Sequence, residues 1–327
     1  MRLLTGKYFR QKLFGISPEE VKFDRRGFHR KNTESVRHLE TIGTEFLNGY
    51  HLAIETKDLS LLEQRLNQTG TMYRGFAFEG AAMGLTLLDY LVPWQKKRLQ
   101  NFLEGEADHH IYMVYVGIGW AFARIPWLRL NITKNISKYD PLLKWLILDG
   151  LGFHEGYFKP EEYFTRQIRL DYLSGYARNA FTQGLGRCLW FVGGTDVRLI
   201  AETIGKMPAA LHSDLWSGVG LACTYAGGVT DQEIEELKIL SSSFSPNLLQ
   251  GAIFGAAARF RANNIVEHND SACRILCGIS VEQAASIAYS TMEKLPVEKG
   301  SSHPAYEIWR QRIGAEIFTG NLSFESV

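Results

Sequence analysis

Apolar residues in this chain recur at three- and four-residue intervals, and no long stretch alternates with period two. The pattern therefore predicts helices and no strand. After Thr230, the run Ile234, Leu237 and Leu240 lines one helix face, and Thr230 with Glu233 carries a capping-box signature. Thr195 or Asp196 caps a helix over 197–206 that Pro208 ends, and Ser280 caps one over 281–295 that Pro296 ends. Near the start, Ser17-Pro18-Glu19-Glu20 supplies a cap, a first-position proline and an early acidic residue.

Glycine-rich segments of one style punctuate this helical background. Their first glycines are Gly80, Gly117, Gly150, Gly184, Gly218 and Gly251, at steps of 37, 33, 34, 34 and 33 residues. Regular spacing of that length marks a repeat. Each unit reads as a polar-faced outer helix and a glycine-rich inner helix flanked by aromatics. Glycine costs a helix interior about 1 kcal/mol relative to alanine, and close approach of neighbouring helices offsets that. Gly80/Gly84, Gly117/Ala121, Gly184/Cys188, Gly218/Ala222 and Gly251/Gly255 place small residues four apart on one face. The expected fold is all-α. Residues 1–32 form an N-terminal arm with a short helix, and residues 33–327 form one helical-repeat domain. Its helix pairs of about 34 residues would stack as an α-solenoid or close into an α/α toroid, the inner helices lining a concave surface or tunnel.

Charge and composition narrow the function. Lys plus Arg number 36 against 35 Asp plus Glu, which argues against a nucleic-acid binder. Four cysteines, at 188, 223, 273 and 277, are too few for a disulfide scaffold. The basic start has no apolar run behind it, so no secretory signal is expected. The longest apolar stretch, Ile111 to Ala123, falls short of the roughly 18 residues a membrane span requires. A cytoplasmic protein without a transmembrane segment is expected.

The residues before the first glycines are Glu79, Val116, Asp149, Gln183, Ser217 and Gln250. Equivalent positions face the same way, so they form a ladder, either of interhelical hydrogen bonds or of a polar track in an apolar groove. Glu104, Glu106, Asp108, His109 and His110 read as a solvated helix end, since adjacent histidines diverge by about 100° and bind one metal poorly. His268, Asp270, Cys273 and Cys277 lack the usual zinc spacing. Asp149, His154 and Glu155 offer general acid–base chemistry. On a continuous helix Asp149 and His154 lie about 140° apart. A break at Gly150 and Gly152 would instead leave Asp149 as a cap and turn His154 inward. The candidate proton-transfer residues are His154, Glu155, Asp149, Glu79 and Asp214. The candidate substrate contacts are Gln183, Arg187, Trp120, Trp216, Tyr225, Gln250 and Arg259. The chain has no Walker loop, dinucleotide fingerprint, nucleophile elbow, zinc-protease motif or aspartate-rich diphosphate-binding segment. No cofactor and no metal are expected.

Several segments carry a resemblance. Phe78-Glu79-Gly80-Ala81-Ala82-Met83, Gly117-Ile118-Gly119-Trp120-Ala121 and Asp149-Gly150-Leu151-Gly152-Phe153-His154-Glu155-Gly156 resemble one bacterial family of unknown function. So do Gln183-Gly184-Leu185-Gly186-Arg187, Asp214-Leu215-Trp216-Ser217-Gly218-Val219-Gly220 and Tyr225-Ala226-Gly227-Gly228, with Arg26-Gly27-Phe28 and Leu39-Glu40 near the start. This is the UnbL-type family, whose members occur in gene clusters for enediyne polyketides and other natural products. The resemblance implies a biosynthetic protein that binds and shapes or cyclises a long apolar polyene or polyketide chain, with biosynthetic proteins as possible partners. It brings no established catalytic residues. An isoprenoid cyclase and a non-catalytic scaffold for a protein partner stay open beside it.

Overall fold

The computed structural model describes residues 13–92, 97–168, 171–296 and 303–324, with side chains to residue 317. The basic first residues and Pro296's neighbours from 297 to 302 lie outside them. Among the described residues the fold is all-α, without a strand. Ser17 caps a short 3₁₀ turn over Pro18–Val21, ahead of α1 (Phe23–Arg26). The chain then runs through α2 (Thr33–Glu55), α3 (Leu59–Asn67), α4 (Arg74–Leu91), α5 (Arg98–Leu103) and α6 (Ile111–Arg124). Next come α7 (Pro126–Leu130), α8 (Ile132–Ile136), α9 (Trp145–Phe158), α10 (Tyr176–Val192), α11 (Val197–Lys206) and α12 (His212–Ala226). The last are α13 (Asp231–Leu240), α14 (Ser245–Arg261), α15 (Glu267–Cys277), α16 (Val281–Met292) and α17 (Ala305–Phe324).

The glycine-rich helices pack in sequence order: α2 on α4, α4 on α6, α6 on α9, α9 on α10, α10 on α12, and α12 on α14. One contact recurs along this row. A Cβ added to Gly117 would strike the Glu79 carbonyl, and at Gly150 the Val116 carbonyl. At Gly184 it would strike that of Asp149, at Gly218 that of Gln183, and at Gly251 that of Ser217. The second glycines meet the opposite neighbour: Gly119 lies on the Ile147 carbonyl, Gly152 on Phe181, Gly186 on Leu215 and Gly220 on Leu248. Residues two apart on a helix point about 200° from each other. Each Gly-x-Gly therefore serves two neighbours, one glycine apiece, where the sequence suggested a single small-residue face.

The outer helices differ between the two halves. In the C-terminal half α11, α13 and α15 pack side by side outside the row. Asp196 caps α11, and Thr230 and Glu233 complete the box on α13. Ser280 caps α16, which stops at Met292, short of the expected residue 295. In the N-terminal half the outer segments are short, where Pro126, Pro141 and Pro160 interrupt them. The helix end at 104–110 is exposed except for Ala107 and His110, and the His110 ring is stacked on Phe78 at 4.1 Å between ring centres. Burial lowers its pKa to about 3, so it is a neutral core ring and not the solvated one expected.

Candidate functional site

Helix α9 is unbroken from Trp145 to Phe158. There is no break at Gly150 or Gly152; both glycines are spent on helix contacts. Asp149 and His154 therefore point apart, and they belong to different clusters.

Asp149 sits at the centre. It pairs with Arg187 and accepts from Gln183 Nε2 at 3.1 Å; Gln183 also reaches the Tyr306 hydroxyl at 3.3 Å. Arg187 lies 5.2 Å over the Phe153 ring. Burial opposes its charge, but Asp149 and Glu79 outweigh burial and raise its pKa further. The ladder continues as Ser217 Oγ donating to Gln250 Oε1 at 2.7 Å, with Arg310 Nε on the same oxygen at 3.1 Å. Asp214 is paired with Arg310 at 2.8 Å and accepts from Asn179 at 2.8 Å. Most of the ladder is thus interhelical hydrogen bonding, as buried polar groups require.

Glu79 is the exception. It is buried on α4, and among the described residues no cation hydrogen-bonds its carboxylate, Arg187 being bonded to Asp149. Burial raises its pKa to about 7, against the pull of Arg187 and of the Trp120 indole and with a push from Asp149. It lines a cavity of about 50 Å³ whose walls include Phe46, Phe76, Trp120, Phe153, Phe158 and Phe191. A second cavity of about 40 Å³ is walled by Tyr112, Met113, Tyr225, Phe254, Tyr306 and Trp309. Arg187 lines both. Each is room for only a water or two as it stands. Wider clefts near the surface lie beside Tyr90 and Tyr139, about 630 Å³, and beside Asn179 and Asp214, about 430 Å³.

His154 and Glu155 form their own cluster behind Trp120, whose ring lies 5.4 Å from that of His154. Glu155 accepts from Lys159 at 3.0 Å and Tyr163 at 3.1 Å, with Arg129 at 3.7 Å and His154 Nδ1 at 3.4 Å. Burial pushes the Glu155 pKa up, yet His154 and Lys159 pull it down to about 2. Burial lowers that of His154, against the pull of Glu155. This arrangement stores an ion pair; it does not poise a proton near neutrality.

Trp120, Tyr225 and Arg187 reach the cavities, whereas Trp216, Gln250, Arg259, Asp214 and His154 line neither. Arg259 is fully buried against the backbone carbonyls of Tyr225, Asn264 and Thr71 and lies 4.1 Å over the Tyr225 ring. It closes helix ends and presents no charge to a cavity. His268 bonds the Cys223 carbonyl, and among the described residues no three His, Cys, Asp or Glu side chains gather as a metal site. Sequence reasoning missed Tyr306 and Arg310. Their signal was present in Tyr306, Trp309, Arg310 and Ile313, spaced as one helix face with an arginine inside it.

The sequence profile of a family described as "Protein of unknown function (DUF1702)" matches residues 5–317. No curated protein and no solved structure matches the chain.

Proposed function

This chain belongs to the DUF1702 family, of unknown function, so its chemistry has to be read from its own residues. We propose that it binds a long apolar unsaturated chain in its aromatic interior and shapes it by proton transfer from Glu79. The observation that carries this reading is the Glu79 carboxyl, poised near pH 7 on an aromatic-walled cavity. A general acid works best with its pKa near the operating pH.

The protonated carboxyl gives its proton to an end carbon of a conjugated double-bond system. The allylic cation that results lies against the rings, whose faces attract positive charge. Loss of a proton from another carbon, to the carboxylate of Glu79, ends an isomerisation or ring closure with no change in composition. Arg187, fixed by Asp149 and Gln183, stabilises the carboxylate between the two transfers. Cavities of this size admit a chain only if the aromatic lining swings outward, so binding is coupled to opening. The fixed glycine register along the row supports a helical-repeat array, and the motif resemblance supports an UnbL-type role beside enediyne-type biosynthetic proteins. The polyketide-derived polyene is our first substrate class. An isoprenoid fits the same rings and the same acid. A scaffold for a protein partner is less well supported, because the interior spaces are apolar and narrow, unlike an open polar groove.

The test is incubation in D₂O with a linear conjugated tetraene such as parinaric acid and, separately, with farnesol. Deuterium at carbon in one of them with the wild type, and none with Glu79→Gln of unchanged fold, is the expected result. Equal incorporation by Glu79→Gln removes Glu79 as the acid.

A further inference from the structure

The segment between α6 and α9 has two faces. Ile125, Leu128, Ile132 and Ile136 are buried at 3% exposure or less. Their spacing of three and four residues fixes one side of α7 and α8 onto the core, although the helix is interrupted at Asn131. The other side carries Trp127, Leu130 and Lys134, with Lys138 in the turn beyond α8, and all four are exposed. Trp127 is 55% and Leu130 58% exposed, two of the eight large hydrophobic side chains exposed among the described residues. Burial of the opposite face means that this pair has not simply failed to find the core.

Charge concentrates here as well. The whole chain holds 36 basic residues against 35 acidic, yet residues 124–144 hold Arg124, Arg129, Lys134, Lys138 and Lys144 against Asp140 alone. Arg129 is drawn toward Glu155, and Lys138 lies over the Tyr90 ring at 4.7 Å. Among the described ion pairs Lys134 and Lys138 have no carboxylate. A protruding Trp–Leu pair flanked by lysines is the chemistry of an interfacial helix. The apolar tips enter the acyl boundary while the ammonium groups meet anionic headgroups. Tryptophan settles at that boundary because its ring is apolar and its N–H is wet.

We propose that α7–α8 is a docking surface for an anionic lipid membrane, held by Trp127 and Leu130 and steered by Lys134 and Lys138. No helix among the described residues is long and apolar enough to cross a membrane, so the attachment is peripheral. Arg124, the last residue of α6 before this segment, lines the cavity that Glu79 lines. The docking proposal itself does not depend on the chemistry at Glu79.

Co-sedimentation with phosphatidylcholine vesicles, with and without phosphatidylglycerol, tests it. The wild type is expected to bind the anionic vesicles selectively, more weakly as salt rises. Trp127→Ser/Leu130→Ser should lose binding at an unchanged melting temperature, since both side chains are exposed. Lys134→Gln/Lys138→Gln should bind about 25-fold more weakly, about five-fold per lysine. A wild type that ignores both vesicles, or a Trp127→Ser/Leu130→Ser variant that binds as well as wild type, overturns the proposal. Lysine-dependent retention that survives loss of the apolar pair also overturns it, and makes the face a patch for an acidic protein.

Discussion

At the residue scale two buried glutamates share a helical neighbourhood and behave oppositely. Glu155 is surrounded by Lys159, Tyr163 and Arg129, while Glu79 faces rings and a guanidinium already claimed by Asp149. Their pH dependences should therefore have opposite signs. The unfolded Glu79 carboxyl ionises near 4.5 and the folded one near 7, so between these values the folded state holds the extra proton. Its contribution is complete below about pH 4.5 and is lost as pH rises through 7. Glu79→Gln cannot ionise, so its melting temperature should gain on that of the wild type from pH 5 to pH 8. A constant difference would contradict the raised pKa. Glu155 falls to about 2 in the folded state from 4.5, so it stabilises above pH 4.5 and ceases to as pH falls through 2. Glu155→Gln should cost about 1.5–3 kcal/mol at neutral pH from lost charged hydrogen bonds, and urea melts should show that cost vanishing toward pH 2. Glu79 was legible in the sequence as a polar residue before a repeat glycine. What set it apart from Asp149 and Gln183 was not legible, because the difference lies in partners from α10 and α17 that no local pattern names.

At the scale of elements, the glycine register was legible as a spacing, and the capping boxes marked helix starts well. The two-sided use of Gly-x-Gly was not, because it depends on which helix lies on either side. Gly184 is packed against the Asp149 carbonyl, and backbone yields little. Gly184→Ala should therefore destabilise the fold, by roughly 1–3 kcal/mol as an overpacked contact. Gly205, near the end of α11, has nothing within 4 Å of its missing Cβ. Gly205→Ala should instead stabilise by about 0.4–1 kcal/mol through the unfolded chain. Differential scanning calorimetry of the pair checks both signs, and equal shifts would show that these glycines are not packing positions. Shortening of the outer helices before residue 170 was hinted at only by its prolines.

At the scale of the whole molecule, α17 brings residues from the end of the chain back to the centre. Arg310 pairs with Asp214 and holds Gln250, while Tyr306 and Trp309 wall the second cavity. Arg310→Met leaves Asp214 buried without its cation and should cost about 3–5 kcal/mol; denaturant melts should show Asp214→Asn recovering part of it. The all-α class followed from the periodicity alone. The filling of the interior did not, because side-chain volume across the row is set by long-range contacts. The central claim is that this interior accepts an apolar chain. Native mass spectrometry of the protein incubated with parinaric acid tests it most directly. The wild type should retain one tetraene per chain, and Leu47→Trp, which fills the cavity that Glu79 and Leu47 line, should retain none. A wild type that stays bare, or a Leu47→Trp variant that retains the tetraene equally, would contradict the claim.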